Sequence, residues 1–313
     1  MKLLVTGGAG FIGSHVVDAC LAAGHDVAAV DNLFTGKVAN LDPRARLYRL
    51  DIAGAEVDEV IAHERPDAIL HQAARVDVRA SMTQPLLFAQ TNVLGSVNLL
   101  ESCRRHSVRR FVYAQTGGCV YGEPVELPSP ETHRIEPVEP YGVSKSVVES
   151  YLHVYQRHFG ITYVVLRYPN VYGPRQDPDG EAGVVSIFAK RMLLGQEPRI
   201  NGTGEQTRDY VYVGDIARAN LLALTAGDNQ TYNVGSGTAT SVNGLYEVLA
   251  DVIGYRGEAS FGPPRPGEVQ ASCLDSRKAE RDLGWRADTS LREGLRRTCA
   301  FIAGELRLSA RVR

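Results

Sequence analysis

The order of elements along the chain predicts an α/β fold: a doubly wound parallel sheet of the Rossmann kind with a smaller C-terminal α/β lobe. Three observations carry this expectation. Short apolar runs alternate with longer helical periodicities through the first half of the chain. The first run, Lys2–Thr6, leads into glycines at positions 7, 10 and 13, a spacing suited to a tight strand-to-helix turn. After Pro169 the pattern changes to loops rich in glycine and proline, at residues 173–178 and 201–204.

The elements follow in order. Lys2–Thr6 reads as a buried strand, and residues 11–23 have helical periodicity that stops at Gly24. Asp26–Val30 is a second strand, closed by Asp31. Residues 47–50 and 68–70 read as further strands with a helix over Glu56–Glu64 between them. Residues 85–105 predict one long helix, 110–114 a strand running to Thr116 just past its end, 141–159 a second long helix and 163–167 another strand. The division expected is residues 1–169 as the sheet domain, with a returning segment near 210–235, and residues 170–313 as the second lobe, partly interleaved with it. Residues 306–313 carry three arginines and little apolar signal, and read as a loose tail.

The bulk composition narrows the function. With 313 residues, 44% hydrophobic and 22% charged, the chain suits a large soluble core. A formal charge of −2 gives no basic field for nucleic acid or a membrane surface. The five cysteines lack CxxC spacing, which fits a reducing cytoplasm and argues against a metal site or a disulfide framework. The apolar start meets glycine too early for a signal peptide, and no run is long enough to span a membrane.

The glycine turn points to a dinucleotide. Gly7, Gly10 and Gly13, with Phe11 and Ile12 between the last two, let the backbone approach a pyrophosphate at the open N-terminus of the following helix. Asp31 at the end of the second strand can accept from both hydroxyls of an adenosine ribose and would repel a 2′-phosphate, so NAD is expected over NADP. Asp51 and Ile52, after the third strand, are candidates for the adenine, against the alternative of a plain loop aspartate.

Tyr141 and Lys145 lie one helical turn apart. A phenol titrates near 10, so it acts as a base near neutrality only beside positive charge. Lys145 and a nicotinamide cation would supply that charge, and Lys145 can also reach the nicotinamide ribose. Thr116 is the candidate donor to a substrate oxygen. Tyr-x-x-x-Lys alone is common on helix surfaces. Downstream of a nucleotide turn it predicts redox chemistry at an alcohol.

Further motifs extend the pattern: residues 31–36 (DNLFTG), 71–74 (HQAA), 91–95 (TNVLG), 120–122 (VYG), 166–174 (LRYPNVYGP), 208–213 (RDYVYV) and 265–268 (RPGE). Over about residues 1–300 the chain resembles the extended short-chain dehydrogenase/reductase family, among its nucleotide-sugar epimerases of the UDP-glucose 4-epimerase type. The resemblance implies that Gly7, Gly10, Gly13, Asp31 and Lys145 hold NAD, with Asn32, Asp51, Ile52, Ala73 and Asn92 lining its site. It implies Asn170 on the phosphate side of a UDP-sugar, and Arg208 and Arg265 clamping the diphosphate, a role that planar guanidinium groups suit. It places Ser272 beside the sugar 2-position, where a small residue leaves room for an N-acetyl group. The expected reaction is 4-epimerisation of UDP-glucose and UDP-galactose through a 4-keto sugar, with the N-acetylhexosamine pair as a possible extension. The two long helices would form a homodimer seam.

Two positions depart from the family pattern. Gln115 stands where serine is usual, and Glu268 where aspartate is frequent. Four other readings compete with epimerisation. A 4,6-dehydratase would need an acid and a base where this chain has Gly117 and Gly118. A uronate 4-epimerase or decarboxylase would need a cation where Asp177 stands. An NADPH-dependent sugar reductase is opposed by Asp31. A non-catalytic NAD-binding scaffold would commonly lack the Tyr or Lys that are both present here.

Overall fold

The structure, a computed structural model, describes residues 1–179, 183–265, 267 and 269–311, with side chains as far as residue 307. In chain order the elements are β1 (Lys2–Thr6), α1 (Phe11–Ala22), β2 (Asp26–Val30), β3 (Arg46–Tyr48), α2 (Glu56–Glu64), β4 (Ala68–His71), α3 (Val78–Thr83), α4 (Pro85–Phe88), α5 (Gly95–His106), β5 (Arg110–Thr116), α6 (Pro140–Phe159), β6 (Thr162–Tyr168), β7 (Asn170–Tyr172), α7 (Val184–Leu193), β8 (Arg199–Asn201), β9 (Thr207–Tyr212), α8 (Val213–Leu222), β10 (Gln230–Asn233), β11 (Ala239–Ser241), α9 (Val242–Ile253), β12 (Ser260–Gly262), α10 (Arg277–Leu283) and α11 (Leu291–Arg311).

Seven strands form one parallel sheet in the order β3-β2-β1-β4-β5-β6-β10. Successive side chains alternate between its faces. Leu3 and Val5 therefore pack with Val16, Val17 and Ile216 under α1 and α8, while Leu4 packs with Ile61, Leu99 and Val148 under α2, α5 and α6. Each such fully buried aliphatic side chain stabilises the fold by roughly 1.5–3 kcal/mol. Strand order reverses between β1 and β4, and the crevice at the carboxyl ends of these strands is where ligands bind in such sheets. Two smaller sheets, β11-β9-β7 and β12-β8, pack with α7, α9 and α11 around a third core containing Tyr172, Phe188, Leu245 and Leu295.

Four expectations are corrected. The helix expected over 85–105 is split: α4 passes through a π-helical turn, Ala89–Leu94, into α5. The wide turn inserts a residue, which 3.6-residue periodicity cannot register. Residues 306–311 of the expected loose tail are instead the end of α11, and residues 312 and 313 lie outside the described residues. The helix's apolar stripe (Leu291, Leu295, Cys299, Ile302, Leu306) begins well before residue 306 and packs on the third core. The third strand is Arg46–Tyr48, which leaves Leu50 outside it. Thr116 is the last residue of β5, where it was expected just beyond.

Candidate active site

At the end of β1 the chain turns through Gly7 at φ +67°, and Gly7 N donates to Val30 O at 2.7 Å. A side chain at residue 7 would be strained, and its Cβ would lie 2.8 Å from Ala73 N. A Cβ at Gly13 would collide with Gly7 O. The α1 N-terminus has no side-chain cap and no acidic residue in its first turn, so its backbone N–H groups remain available to an anion.

These residues line a cleft of about 210 Å³. Ten residues expected at the dinucleotide lie along it: Gly7, Gly10, Phe11, Ile12, Gly13, Asp31, Asn32, Asp51, Ile52 and Ala73. Asp31 Oδ2 accepts from Ala9 N at 3.0 Å and Oδ1 from Leu33 N at 2.8 Å. A Cβ on Gly36 would sit 2.7 Å from Asp31 Oδ1, so the glycine keeps open the space beside the carboxylate. Asn32 Nδ2 donates to Asp51 Oδ2 at 2.9 Å, which ties the two loops below the cleft. A glycine cradle, an open helix N-terminus and a carboxylate one strand away fit a dinucleotide with a free ribose diol.

Asn92 was expected in this lining and stands behind it, fully buried. Its Oδ1 accepts from Arg75 N at 2.8 Å, and its Nδ2 donates to Arg75 O at 3.1 Å and Ser144 Oγ at 2.9 Å. Ser144 Oγ donates in turn to Tyr141 O at 2.8 Å. Asn92 thus joins the cleft wall to the helix that carries Tyr141. The sequence reading passed over Phe34, Thr35, Arg75 and Thr91, which also line the cleft. The Arg75 guanidinium lies 4.3 Å from the Phe34 ring centroid. Phe34 and Thr35 lie within residues 31–36 and Thr91 within residues 91–95, and that adjacency is the available signal.

Pro140 at the first turn and Gly160 in the left-handed C-cap position define α6, which carries Tyr141 and Lys145. The Thr116 hydroxyl lies beside the Tyr141 phenol, so two of the expected catalytic residues meet. Burial pushes the phenol well above its ordinary value, the neighbouring Cys119 adds to this, and the Thr116 hydroxyl acts in the opposite direction. Lys145 is 3% exposed, and burial pushes its ammonium down to about 7. Its Nζ lies 4.4 Å from the Tyr113 ring centroid. Burial is the largest influence on both groups.

On the other side of Thr116, Gly118 leaves Asn170 Oδ1 about van der Waals distance away, 3.7 Å from the Cβ it lacks. Asn170 pairs with Tyr210 across β7 and β9, and Arg208 on β9 reaches Cys119 with its charge. Ser272 is buried, and its N donates to Thr207 O at 3.2 Å, next to Arg208. Arg265 is exposed; Asn201, with its carboxamide turned to accept, meets Arg265 Nη2 at 3.2 Å. Glu268 lies outside the described residues. Gln115 points away from Thr116's side chain: its Oε1 accepts from Thr116 N at 2.7 Å and its Nε2 donates to Glu149 Oε1 at 3.1 Å. Asp177 Oδ2 is 3.4 Å from Lys37 Nζ.

The chain matches the family model for the NAD dependent epimerase/dehydratase family over residues 3–235. It is similar to the UDP-glucose 4-epimerase of Thermotoga maritima solved with UDP-glucose: 48% identity, TM-score 0.96, 98% of this chain and 100% of that one. It is similar to the Thermus thermophilus UDP-glucose 4-epimerase solved with NAD: 43% identity, TM-score 0.93, 97% and 99% covered. A UDP-glucose 4-epimerase of Mycolicibacterium smegmatis is 40% identical over 307 residues, 96% of this chain and 98% of that one. With the family model spanning the glycine cleft, β5 and α6, the chain belongs to the NAD-dependent epimerase/dehydratase family.

Proposed function

We propose that this protein is an NAD-dependent 4-epimerase that interconverts UDP-glucose and UDP-galactose. The observation that carries the reading is the Tyr141–Thr116 contact at the carboxyl edge of the sheet that also bears the glycine cleft. In this reading Gly7, Gly10 and Gly13 receive the pyrophosphate, Asp31 the adenosine ribose, Asn32, Asp51 and Ile52 the adenine end, and Lys145 the nicotinamide ribose. NAD held by these residues would supply the acceptor for the hydride on C4 of the sugar and the donor that restores it from the opposite face.

Tyr141 takes the proton from the 4-hydroxyl and later gives it back, and Thr116 hydrogen-bonds the same oxygen. A positive group placed beside Tyr141 offsets the burial that holds its proton. Residues 170–313 supply the UDP side, with the segment near 210–235 returning to the first domain. Asn170, Arg208 and Arg265 hold the diphosphate. Anchoring there, remote from C4, leaves the hexose free to turn between the two transfers. The buried, small Ser272 favours a second substrate pair carrying a 2-N-acetyl group.

We further propose a homodimer. Val143, Val147, Tyr151 and Val154 are exposed along one face of α6, and Leu86, Leu87 and Leu94 on the neighbouring segment are exposed as well. The scattered cysteines support a cytoplasmic location. No helix among the described residues is long and apolar enough to cross a membrane.

The test is incubation of the purified protein with UDP-galactose, UDP-N-acetylgalactosamine and UDP-galacturonate separately, with and without added NAD, and separation of the products. Conversion of UDP-galactose to UDP-glucose supports the reading. Reaction of UDP-galacturonate alone would replace it with a uronate epimerase, and no reaction at all would overturn it.

A further inference from the structure

Glu139 is two residues before Tyr141 and 8% exposed, and its Oε1 is fully buried without a hydrogen-bond partner. A buried carboxyl oxygen left this way is costly, and it is retained next to the helix turn that bears the phenol. The carboxyl folds back against that turn: a Cβ on Gly142 would lie 3.2 Å from Glu139 Oε1 and 3.2 Å from Cys119 O. The Cys119 side chain lies close enough to the Glu139 carboxyl to favour its charged form. The Thr116 hydroxyl lies near both the Cys119 sulfur and the Tyr141 oxygen. Glu139, Cys119, Thr116 and Tyr141 therefore form one cluster around the first turn of α6.

We infer that Glu139 is a positioning residue for proton transfer at Tyr141, its buried and unpartnered carboxyl on the first turn of α6 setting the ionisation of the phenol. The inference rests on Tyr141 being the base of the proposed reaction. Two negative charges in one buried cluster oppose each other, so Tyr141 loses its proton more readily while Glu139 keeps its own. Burial holds the Glu139 carboxyl above the ordinary carboxylate range and so favours the neutral acid. The α6 N-terminus favours its charge, which keeps the group able to change state. The other titratable groups around the cluster are Tyr113 on β5, Lys145 and Glu149 further along α6, and Arg208 on β9, whose charge reaches Cys119.

The experiment is the pH dependence of kcat/KM for UDP-galactose with the NAD-loaded protein, comparing wild type, Glu139→Gln, Cys119→Ala and Tyr141→Phe, with a melting curve for each. Glu139→Gln keeps the shape and removes the charge, so the acid limb is expected to move to lower pH by about half to one unit with KM unchanged. Cys119→Ala removes the neighbour that favours the carboxylate, so the acid holds its proton longer and the limb moves the same way. This variant decides the matter if Glu139→Gln does not fold. Limbs that superimpose on wild type, even with altered melting, would reduce Glu139 to a structural residue and overturn the inference. Tyr141→Phe is expected to lose turnover. If it does not, the proposed base is wrong and this inference falls with it, whereas an inactive Tyr141→Phe with an unmoved Glu139→Gln limb sinks this inference alone.

Discussion

Glu149→Gln tests the support beneath Thr116. Glu149 and Arg167 form a two-point ion pair, Oε1 to Nε at 3.0 Å and Oε2 to Nη2 at 2.7 Å, with side chains 16% and 3% exposed. Arg167 Nη1 also donates to Tyr121 OH at 2.8 Å, and Tyr121 OH to Asn233 Oδ1 at 2.8 Å. The variant leaves a buried guanidinium without a counter-charge. Breaking one side of a buried pair costs about 3–5 kcal/mol, and the partial exposure of Glu149 together with the surviving Tyr121 bond argues for the lower end, about 3 kcal/mol. At roughly 2–4 °C per kcal/mol for a chain of this size class, Tm should fall by about 6–12 °C. Gln115 also loses a charged acceptor, and since Gln115 Oε1 accepts from Thr116 N, kcat should fall several-fold while KM holds. The double variant Glu149→Leu/Arg167→Met removes both charges and should recover most of the lost Tm. Calorimetry and steady-state kinetics read both effects. A single variant melting within about 1 °C of wild type would refute the claim that this pair carries the buried network.

Other outcomes follow from the same geometry. Gly7→Ala forces a side chain into positive φ and against Ala73 N, and should lower NAD content at purification by at least about tenfold, read by absorbance after denaturation. Lys145 has a folded-state value depressed to about 7, so the unfolded chain binds more protons above it. The cofactor-free protein should therefore gain stability as pH rises from about 7 toward about 10, by up to about 3 kcal/mol, and Lys145→Met should flatten that slope in urea titrations. Ser272→Tyr should abolish turnover of UDP-N-acetylgalactosamine while leaving that of UDP-galactose within about threefold, since only the larger substrate meets the ring. Equal losses on both would remove Ser272 from the sugar pocket.

The parts of the site legible in the sequence are those whose geometry is local. Gly7, Gly10, Gly13 and Asp31 are linked by one turn, one helix and one strand, so their spacing carries their arrangement. Tyr141 and Lys145 share a helix face for the same reason. What escaped depends on contacts between distant segments. The apolar stripe of α11 acquires meaning only from α7 and α9, and the three-residue strands β7, β8, β11 and β12 are set by their pairing partners more than by their own composition. Glu139 beside a tyrosine reads as an ordinary loop carboxylate until the fold lays Cys119 against it. The unusual Gln115 reads as an altered pocket until β5 alternation turns it toward Glu149.

The position of β10 in the sheet has a consequence for synthesis. β10 pairs along β6, yet it leaves the ribosome about sixty residues later. At about 5–20 residues per second, the outer edge of β6 waits several seconds with its backbone N–H and C=O groups unpaired. A bare parallel edge is a template for the strand of any neighbouring chain. Nascent copies on one message are the nearest such neighbours, so soluble yield should rise when initiation is slowed and the copies are spaced further apart.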